Sequence, residues 1–411
     1  MKRRAVITGC GIISSIGNSC SEVLHSLQEN RSGIVFVPEW ADLGFKSCVA
    51  GTIKGLDYDE IRQKLGIKSR YMDISALYST VCAADAVADS GIETDDLSSD
   101  RVACIVGSGV SNTETIYQAG AKLFSGNGEI TPYGITRSMT SSCSANLVNF
   151  YGIKGRSYSI SSACATSLHN IGHACELIWG DRCDMALAGG ADEVSAIMTA
   201  NFDGMRSVIS AAFNNTPHKA SRPYDKKRDG FVISGGAGIV IVEELEHARK
   251  RGAPIYAEIT GYGASSDGHD MIHPHPQGDG AYRCMREALD MAQYPVETID
   301  YINTHGTGTK AGDLVECLAI ERVFGSYKAP FSSTKALSGH GIGAAGAQEL
   351  IYCLLMMKHG FITASVNIEE LDPALAECNI VRENRDAALN RVLTCSFGFG
   401  GTNACLIVAA L

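Results

Sequence analysis

Three short segments hold residues whose type and spacing suit nucleophilic chemistry. In Ser161-Ser162-Ala163-Cys164-Ala165-Thr166-Ser167, a cysteine stands between the strand-like YSI and a run with helical periodicity. A thiol there lies at a helix N-terminus, where unsatisfied N–H groups and the helix dipole stabilise a thiolate and lower its pKa. This is the setting of an activated nucleophile, and the backbone N–H of Cys164 can also face a developing oxyanion. His305 lies in Asn303-Thr304-His305-Gly306-Thr307-Gly308-Thr309, at the end of the short strand DYIN. His340 lies in Gly339-His340-Gly341-Ile342-Gly343, after Ser333-Thr334-Lys335, and opens a helix. Both histidines sit in Gly/Thr-rich turns at element ends, where a scaffold presents binding and catalytic groups. Neither has a carboxylate or histidine at ligand spacing, so no metal is expected. Paired imidazoles would instead polarise a carbonyl and stabilise an enolate. A fourth segment, Ser396-Phe397-Gly398-Phe399-Gly400-Gly401-Thr402-Asn403, alternates bulky apolar side chains with glycine. Taken singly, each segment also fits a buried thiol, a satisfied core histidine or a glycine-rich hairpin.

The elements that must position these residues show an internal echo. Residues 7–15 read ITGCGIISS and residues 259–266 read ITGYGASS, each completing a strand-like apolar run. Gly235–Glu244 (GGAGIVIVEE) and Gly400–Ala410 (GGTNACLIVAA) repeat a Gly-Gly turn leading into an Ile/Val-rich strand. Two echoes in one order predict two related halves, 1–250 and 251–411, joined through EELEHARKRGAP. Strand patterns such as VACIVGSG and MALAGGA alternate with helical patterns such as ATSLHNIGHACELIWG and GAQELIYCLLMMKHG. An α/β fold follows, with largely parallel, buried sheets around a shared helical layer and the site where the halves meet.

Bulk properties agree with an enzyme. A chain of 411 residues, 45% hydrophobic and 19% charged, has enough apolar side chains for more than one core. Its net charge of −10, without a lysine/arginine block, argues against nucleic acid. Arg62, Lys64, Lys68 and Arg70 form a local basic segment that suits either a solvated helix face or an acidic partner. The 15 cysteines lack CxxC pairs, which predicts free thiols in a reducing, cytoplasmic setting. The N-terminal apolar run is short and glycine-broken, and no stretch reaches the roughly 18 apolar residues of a membrane span.

Together the motifs closely resemble the β-ketoacyl-acyl-carrier-protein synthases of the elongating type, within the thiolase superfamily. The likeness runs nearly end to end: ITGxGxxSxxG, SSACATS, SRPYDxxRDGF (Ser221–Phe231), NTHGTGT, STKxxxGHxxGAAG and SFGFGGTN. It implies a thiolase-like five-layer αβαβα fold, a homodimer, and a condensation of a Cys-bound acyl group with malonyl on an acyl carrier protein. Carried over by position, Cys164 takes the acyl chain, and His305 and His340 assist decarboxylation. Lys335 and Glu349 match a supporting charged pair, and the N–H groups of Cys164 and Phe399 match the oxyanion hole. Thr307 and Thr309 match contacts to the phosphopantetheine arm, Phe202 and Phe399 match gating rings, and Val110 matches an acyl-pocket position. Lys64, Lys68, Arg70 and Lys122 would face the carrier protein. No cofactor is implied beyond the carrier's phosphopantetheine.

Other motifs are read differently. Cys395 is expected to pack, since a thiolase places its second cysteine in another glycine motif. GHDMIHPHP, with His269, His273 and His275, is expected to be a prolyl surface loop rather than a metal site. ITGCGIIS and GSGVSN lack the third glycine and ribose-binding acid of a dinucleotide loop. A ketosynthase of a polyketide or aryl polyene pathway shares the same catalytic residues. A non-catalytic chain-length-factor-like subunit would lack the cysteine that is present here.

Overall fold

The computed structural model describes residues 3–67, 69–126, 128–205 and 208–411. Two chain segments repeat one order of elements. The first runs β1 (Ala5–Ile13), α1 (Ile74–Ser90), β2 (Val102–Gly107), α2 (Ser142–Tyr151), β3 (Ser157–Tyr158), α3 (Thr166–Trp179), β4 (Met185–Asp192) and β5 (Gly236–Glu244). The second runs β6 (Ala257–Ser266), α4 (Asp279–Ala292), β7 (Tyr301–Asn303), α5 (Lys310–Phe324), β8 (Phe331–Ser332), α6 (Ala345–His359), β9 (Arg391–Gly398) and β10 (Thr402–Ala409). The strands form one ten-stranded sheet in the order β8-β7-β9-β10-β6-β1-β5-β4-β2-β3. Read outward from its centre, the order is β1-β5-β4-β2-β3 on one side and β6-β10-β9-β7-β8 on the other. Strand directions repeat as well: β1/β5, β5/β4, β6/β10 and β10/β9 are antiparallel, whereas β4/β2, β2/β3, β9/β7 and β7/β8 are parallel.

Two expectations are corrected here. The sheet is mixed rather than largely parallel, because β5 and β10 each run against the preceding strand, β10 through a short turn and β5 after a long excursion over residues 193–235. The two sheets are also continuous: β1 and β6 pair over three residues, Ala5↔Ile259 to Ile7↔Ala257. Helices α1 and α2 cover the outer face of the first half, and α4 covers that of the second with α5 packed against it. Between the halves, α3 packs on β4 and β2 but also on β10 and β6, and α6 packs on β5 and β9. Every residue of α6 from Ala345 to Met356 is buried, as a helix surrounded by protein on all sides requires, and its two polar side chains there, Gln348 and Glu349, are hydrogen-bonded. The layers are therefore helix, strand, helix, strand, helix.

The repeated ITGxG has a packing cause. In both copies the ladder slips at the threonine: Thr8 is the extra residue between Ile7 and Gly9 against β5, and Thr260 the extra residue between Ile259 and Gly261 against β10. The glycines that follow admit the outer helix against bare backbone. A Cβ on Gly9 or Gly11 would lie 2.2 and 2.0 Å from the carbonyl oxygens of Ala86 and Cys82 in α1. A Cβ on Gly261 or Gly263 would lie 2.2 and 2.0 Å from those of Ala288 and Cys284 in α4. These glycines seat helices, not phosphates. Gly11→Ala and Gly263→Ala should each destabilise the fold by about 1–3 kcal/mol, measured as a lowered denaturation midpoint; unchanged midpoints would contradict the close-approach account.

Candidate active site

The two central helices begin alike. Each follows a 3₁₀ turn, Ala163–Ala165 before α3 and Ile342–Ala344 before α6. In each turn the first residue has left-handed backbone, with φ +49° at Ala163 and +51° at Ile342. Such conformations cost roughly 1–3 kcal/mol at a residue with a side chain, most for a β-branched one, and persist only where surroundings enforce them. Ser162 supplies that enforcement at the first turn. Its N–H donates to Thr166 Oγ1 at 2.8 Å, its carbonyl accepts from Thr402 Oγ1 at 3.1 Å, and its hydroxyl lies 2.6 Å from His169 Nδ1. The two turns pack against one another, so the N-termini of both central helices meet. Cys164 follows Ala163 in one turn, and Gly343 follows Ile342 in the other.

His340 Nε2 lies 3.0 Å from Cys164 Sγ. The His305 ring stands edge-on to that of His340, with centroids 5.2 Å apart and planes at 86°. The sulfur and one nitrogen from each ring all lie within 4.8 Å of one another. Backbone N–H groups of Phe399 and of Cys164 itself face the sulfur. These contacts do not make a resting thiolate. Burial pushes the Cys164 thiol up to about 12; the Lys335 cation and the two N–H groups pull it down less strongly, and Asp192 pushes it up further. The lowered thiol pKa expected from the helix N-terminus is therefore reversed by desolvation. Burial also holds both imidazoles neutral, well below the ordinary 6.5, with Lys335 adding to the effect. The Nδ1 atoms of both rings lack a partner among the described residues, so neither tautomer is locked.

Around this centre, buried carboxylates hold the loops. Lys335 Nζ and Glu349 Oε1 are 2.6 Å apart and almost wholly buried. Burial raises Glu349 to about 6 against the pull of that lysine. Three further acids escaped the sequence reading. The two oxygens of Glu316, in α5, accept the N–H groups of His305 and Gly306 at 2.7 Å each. Asp313 accepts from the N–H groups of Tyr224 and Gly308 and pairs with Arg228 at 3.3 Å. Asp192, ending β4, accepts from Gly109, Val110 and Gly343 N–H and from the Ser108 hydroxyl, tying both halves at the turn. Their signal in sequence was only an acid three or six residues into the α5 pattern, or one closing a strand. Each is an ordinary surface arrangement until burial is known.

A cavity of about 600 Å³ opens onto the sulfur. Cys164, His305, His340, Thr307, Thr309, Phe202, Phe399 and Val110 all line it. Phe231, which was not singled out, lines it too and stands edge-on to both His340 and Phe202. Phe202 and Phe399 have ring centroids 6.4 Å apart. Lys335 and Glu349 lie behind the wall rather than in it. Of the cations assigned to a carrier, Lys64, Arg70 and Lys122 are exposed and none lines the cavity; Lys68 lies outside the described residues. Arg70 rests over the rings of Tyr71 and Tyr133, at 4.8 and 5.4 Å. The GHDMIHPHP loop reaches the cavity through His273 and Pro274 while Met271 stays exposed. Cys395 is buried across the β9/β10 ladder, with its sulfur 3.1 Å from that of Cys405. No helix among the described residues is long and apolar enough to cross a membrane.

The chain is similar to known proteins over nearly its whole length. The family model "Beta-ketoacyl synthase, N-terminal domain" matches residues 2–248, and the corresponding C-terminal domain model matches residues 256–369. The chain is 50% identical over 408 residues to 3-oxoacyl-[acyl-carrier-protein] synthase 1 of Haemophilus influenzae, covering 98% of each. It is 49% identical over 414 residues to the protein of that name in Escherichia coli K12, covering 100% of this chain and 99% of the other. The crystal structure of a β-ketoacyl synthase from Burkholderia phymatum STM815 superimposes with a TM-score of 0.93 at 34% identity, with 100% of both chains covered. Matched by both family models and about half identical to these relatives over nearly its whole length, the chain belongs to the β-ketoacyl synthase family.

Proposed function

We propose that this chain is a 3-oxoacyl-acyl-carrier-protein synthase of fatty acid elongation, forming a β-ketoacyl thioester from a Cys164-bound acyl group and malonyl on a carrier protein. The observation that carries the reading is His340 Nε2 held 3.0 Å from the Cys164 sulfur, with His305 beside them, in the lining of one cavity. In the first half-reaction the sulfur attacks the acyl thioester while its proton passes to His340 Nε2. The N–H groups of Cys164 and Phe399 receive the oxyanion. Collapse expels the pantetheine sulfur, which takes the proton back, and the acyl group remains on Cys164. In the second, malonyl thioester enters with its carbonyl oxygen toward the N–H groups of His305 and His340. The C–CO₂ bond breaks, its electron pair forms the enolate, and the enolate carbon attacks the acyl carbon. Cys164 leaves as the sulfur anion and takes a proton from solvent through the cavity, the one proton that the overall condensation consumes. The steps transfer acyl groups and protons and release carbon dioxide with no net oxidation or reduction, so a redox group has no part in them.

The buried Lys335–Glu349 pair sets the potential around the rings: its cation disfavours imidazolium, keeping both histidines as neutral donors. Thr307 and Thr309 supply hydroxyls to the pantetheine arm, Phe202 and Phe399 gate the acyl channel, and Val110 bounds it. Lys64, Lys68, Arg70 and Lys122 attract the acidic carrier. The halves divide at 250/251, a boundary supported by the repeated strand order and the short helix Leu245–Lys250 that separates them. Free thiols throughout support a reducing cytoplasm. The chain also pairs as a homodimer. Edge strand β3 has both residues exposed, and Ile116, Tyr117, Phe124 and Ile135, in the segment between β2 and β3, add exposed apolar surface.

Three outcomes test this reading. Wild type incubated with acyl-carrier should gain the acyl mass on Cys164 and Cys164→Ala should not, while His305→Ala should acylate yet decarboxylate malonyl-carrier about 10²–10³-fold more slowly; equal loss of both half-reactions in His305→Ala would contradict the division of roles. A histidine whose folded pKa is depressed stays neutral as pH falls through 6.5. Condensation should therefore hold steady from pH 7.5 to 6.5 and decline only well below. A half-maximal rate at pH 6.5 would indicate an unperturbed imidazole. Sedimentation equilibrium should return twice the chain mass, and Phe124→Asp combined with Ile135→Asp should shift it toward the single chain; a monomeric wild type would refute the dimer.

A further inference from the structure

One loop spans the cavity from its floor to its rim, and its chemistry is graded along the way. His305 stands beside the sulfur, Thr307 is buried, Thr309 is half-buried, and Lys310 is exposed, yet all four line the same cavity. The two threonine hydroxyls are 3.2 Å apart along one wall. Among the described residues Lys310 is the one lysine or arginine in the lining, and it pairs with none of the carboxylates there. The carboxylates that share the lining are already engaged. Asp229 accepts from Ser210, Ala211 and Ala212, Asp267 from His275 and Asn403, and Glu316 from His305 and Gly306.

Lys310 also breaks a local rule. It is the first residue of α5, where the positive end of the helix dipole disfavours a cation and favours an acid. The first-turn acid that would compensate, Asp313, is turned inward to Gly308, Tyr224 and Arg228. A lysine ammonium and a helix N-terminus thus add at one point on the rim, with no carboxylate among the described residues paired to them. Departures of this kind concentrate at functional positions.

We propose that Lys310 binds the phosphodiester of the phosphopantetheine arm that carries the substrate thioester, and so sets the arm's position at the cavity mouth. This rests on the proposed reading of the site and adds a positioning residue to it. Amide groups of the arm then meet the threonine hydroxyls, and the thioester meets Cys164. The same loop presents partners to each of these groups in order.

The test compares three acyl donors: hexanoyl-carrier, hexanoyl-phosphopantetheine and hexanoyl-pantetheine, the last without phosphate. For Lys310→Ala relative to wild type, KM for the two phosphorylated donors should rise about three- to fivefold more than KM for hexanoyl-pantetheine, as loss of an exposed charge-assisted contact predicts. Lys310→Arg should restore it, Lys310→Glu should enlarge it, and added salt should shrink it. Equal changes across all three donors would mean that Lys310 only supports the loop. A change confined to hexanoyl-carrier would mean that it reads an acidic side chain of the carrier instead. Either result overturns the inference while leaving the condensing activity in place. Failure of wild type to be acylated by any donor would overturn the reading of the site itself, and this inference with it.

Discussion

Desolvation at the meeting point of two helix N-termini governs the rest of this structure. Bringing α3 and α6 together puts a thiol and an imidazole 3.0 Å apart at the inner end of a cavity, largely shielded from bulk water. In that environment the charged forms of both are disfavoured, and the resting pair is a neutral thiol beside a neutral imidazole. The N–H groups that converge there are consequently unspent. They stabilise negative charge when it develops on sulfur or oxygen during reaction, which is where electrostatic preorganisation has its effect. Lys335 serves the same end from behind the wall, favouring sulfur anion and opposing imidazolium at once.

Holding this centre requires strain in two places and buried charge in several. Ala163 and Ile342 adopt backbone conformations that their side chains disfavour. The hydroxyl and carbonyl contacts of Ser162 stabilise one turn, and Asp192 clamps the other to the loop at Ser108–Val110. Glu316 and Asp313 do the same for the loop bearing His305. Such carboxylates are costly to bury, and burial raises both, Glu316 to about 7 and Asp313 to about 6. Backbone N–H donors, with Arg228 beside Asp313, offset that cost. The result is a rigid frame in which two histidines from one half meet a cysteine from the other.

The duplicated architecture explains why this frame is possible. Each half supplies an equivalent strand order, an equivalent bulge at Ile-Thr-Gly, and an equivalent strained turn before its central helix. Pairing of β1 with β6 makes the sheets continuous, and the shared helical layer places the two turns side by side. Equivalent positions then diverge in chemistry: Cys164 occupies one turn where Gly343 occupies the other. A cysteine needs its side chain in the cavity, whereas Gly343 sits where a Cβ would lie 2.5 Å from the Gly109 nitrogen.

Much of this was legible in the residues. Helix and strand periodicity, the ITGxG echo and the Gly-Gly strand echo pointed to two like halves, because bulges and backbone-close packing demand glycine at fixed places. The Cys164, His305 and His340 motifs were legible because each joins a reactive side chain to a turn at an element's end. Tertiary structure alone decided the rest. Whether a strand runs parallel depends on how the chain returns, so the mixed sheet was not visible. Whether Cys164 is thiolate or thiol depends on the balance between helix N-terminus and desolvation, and only packing sets the second. Asp192, Asp313 and Glu316 looked like surface acids because their function lies in the backbone groups they meet, which are distant in sequence and carry no side-chain signature.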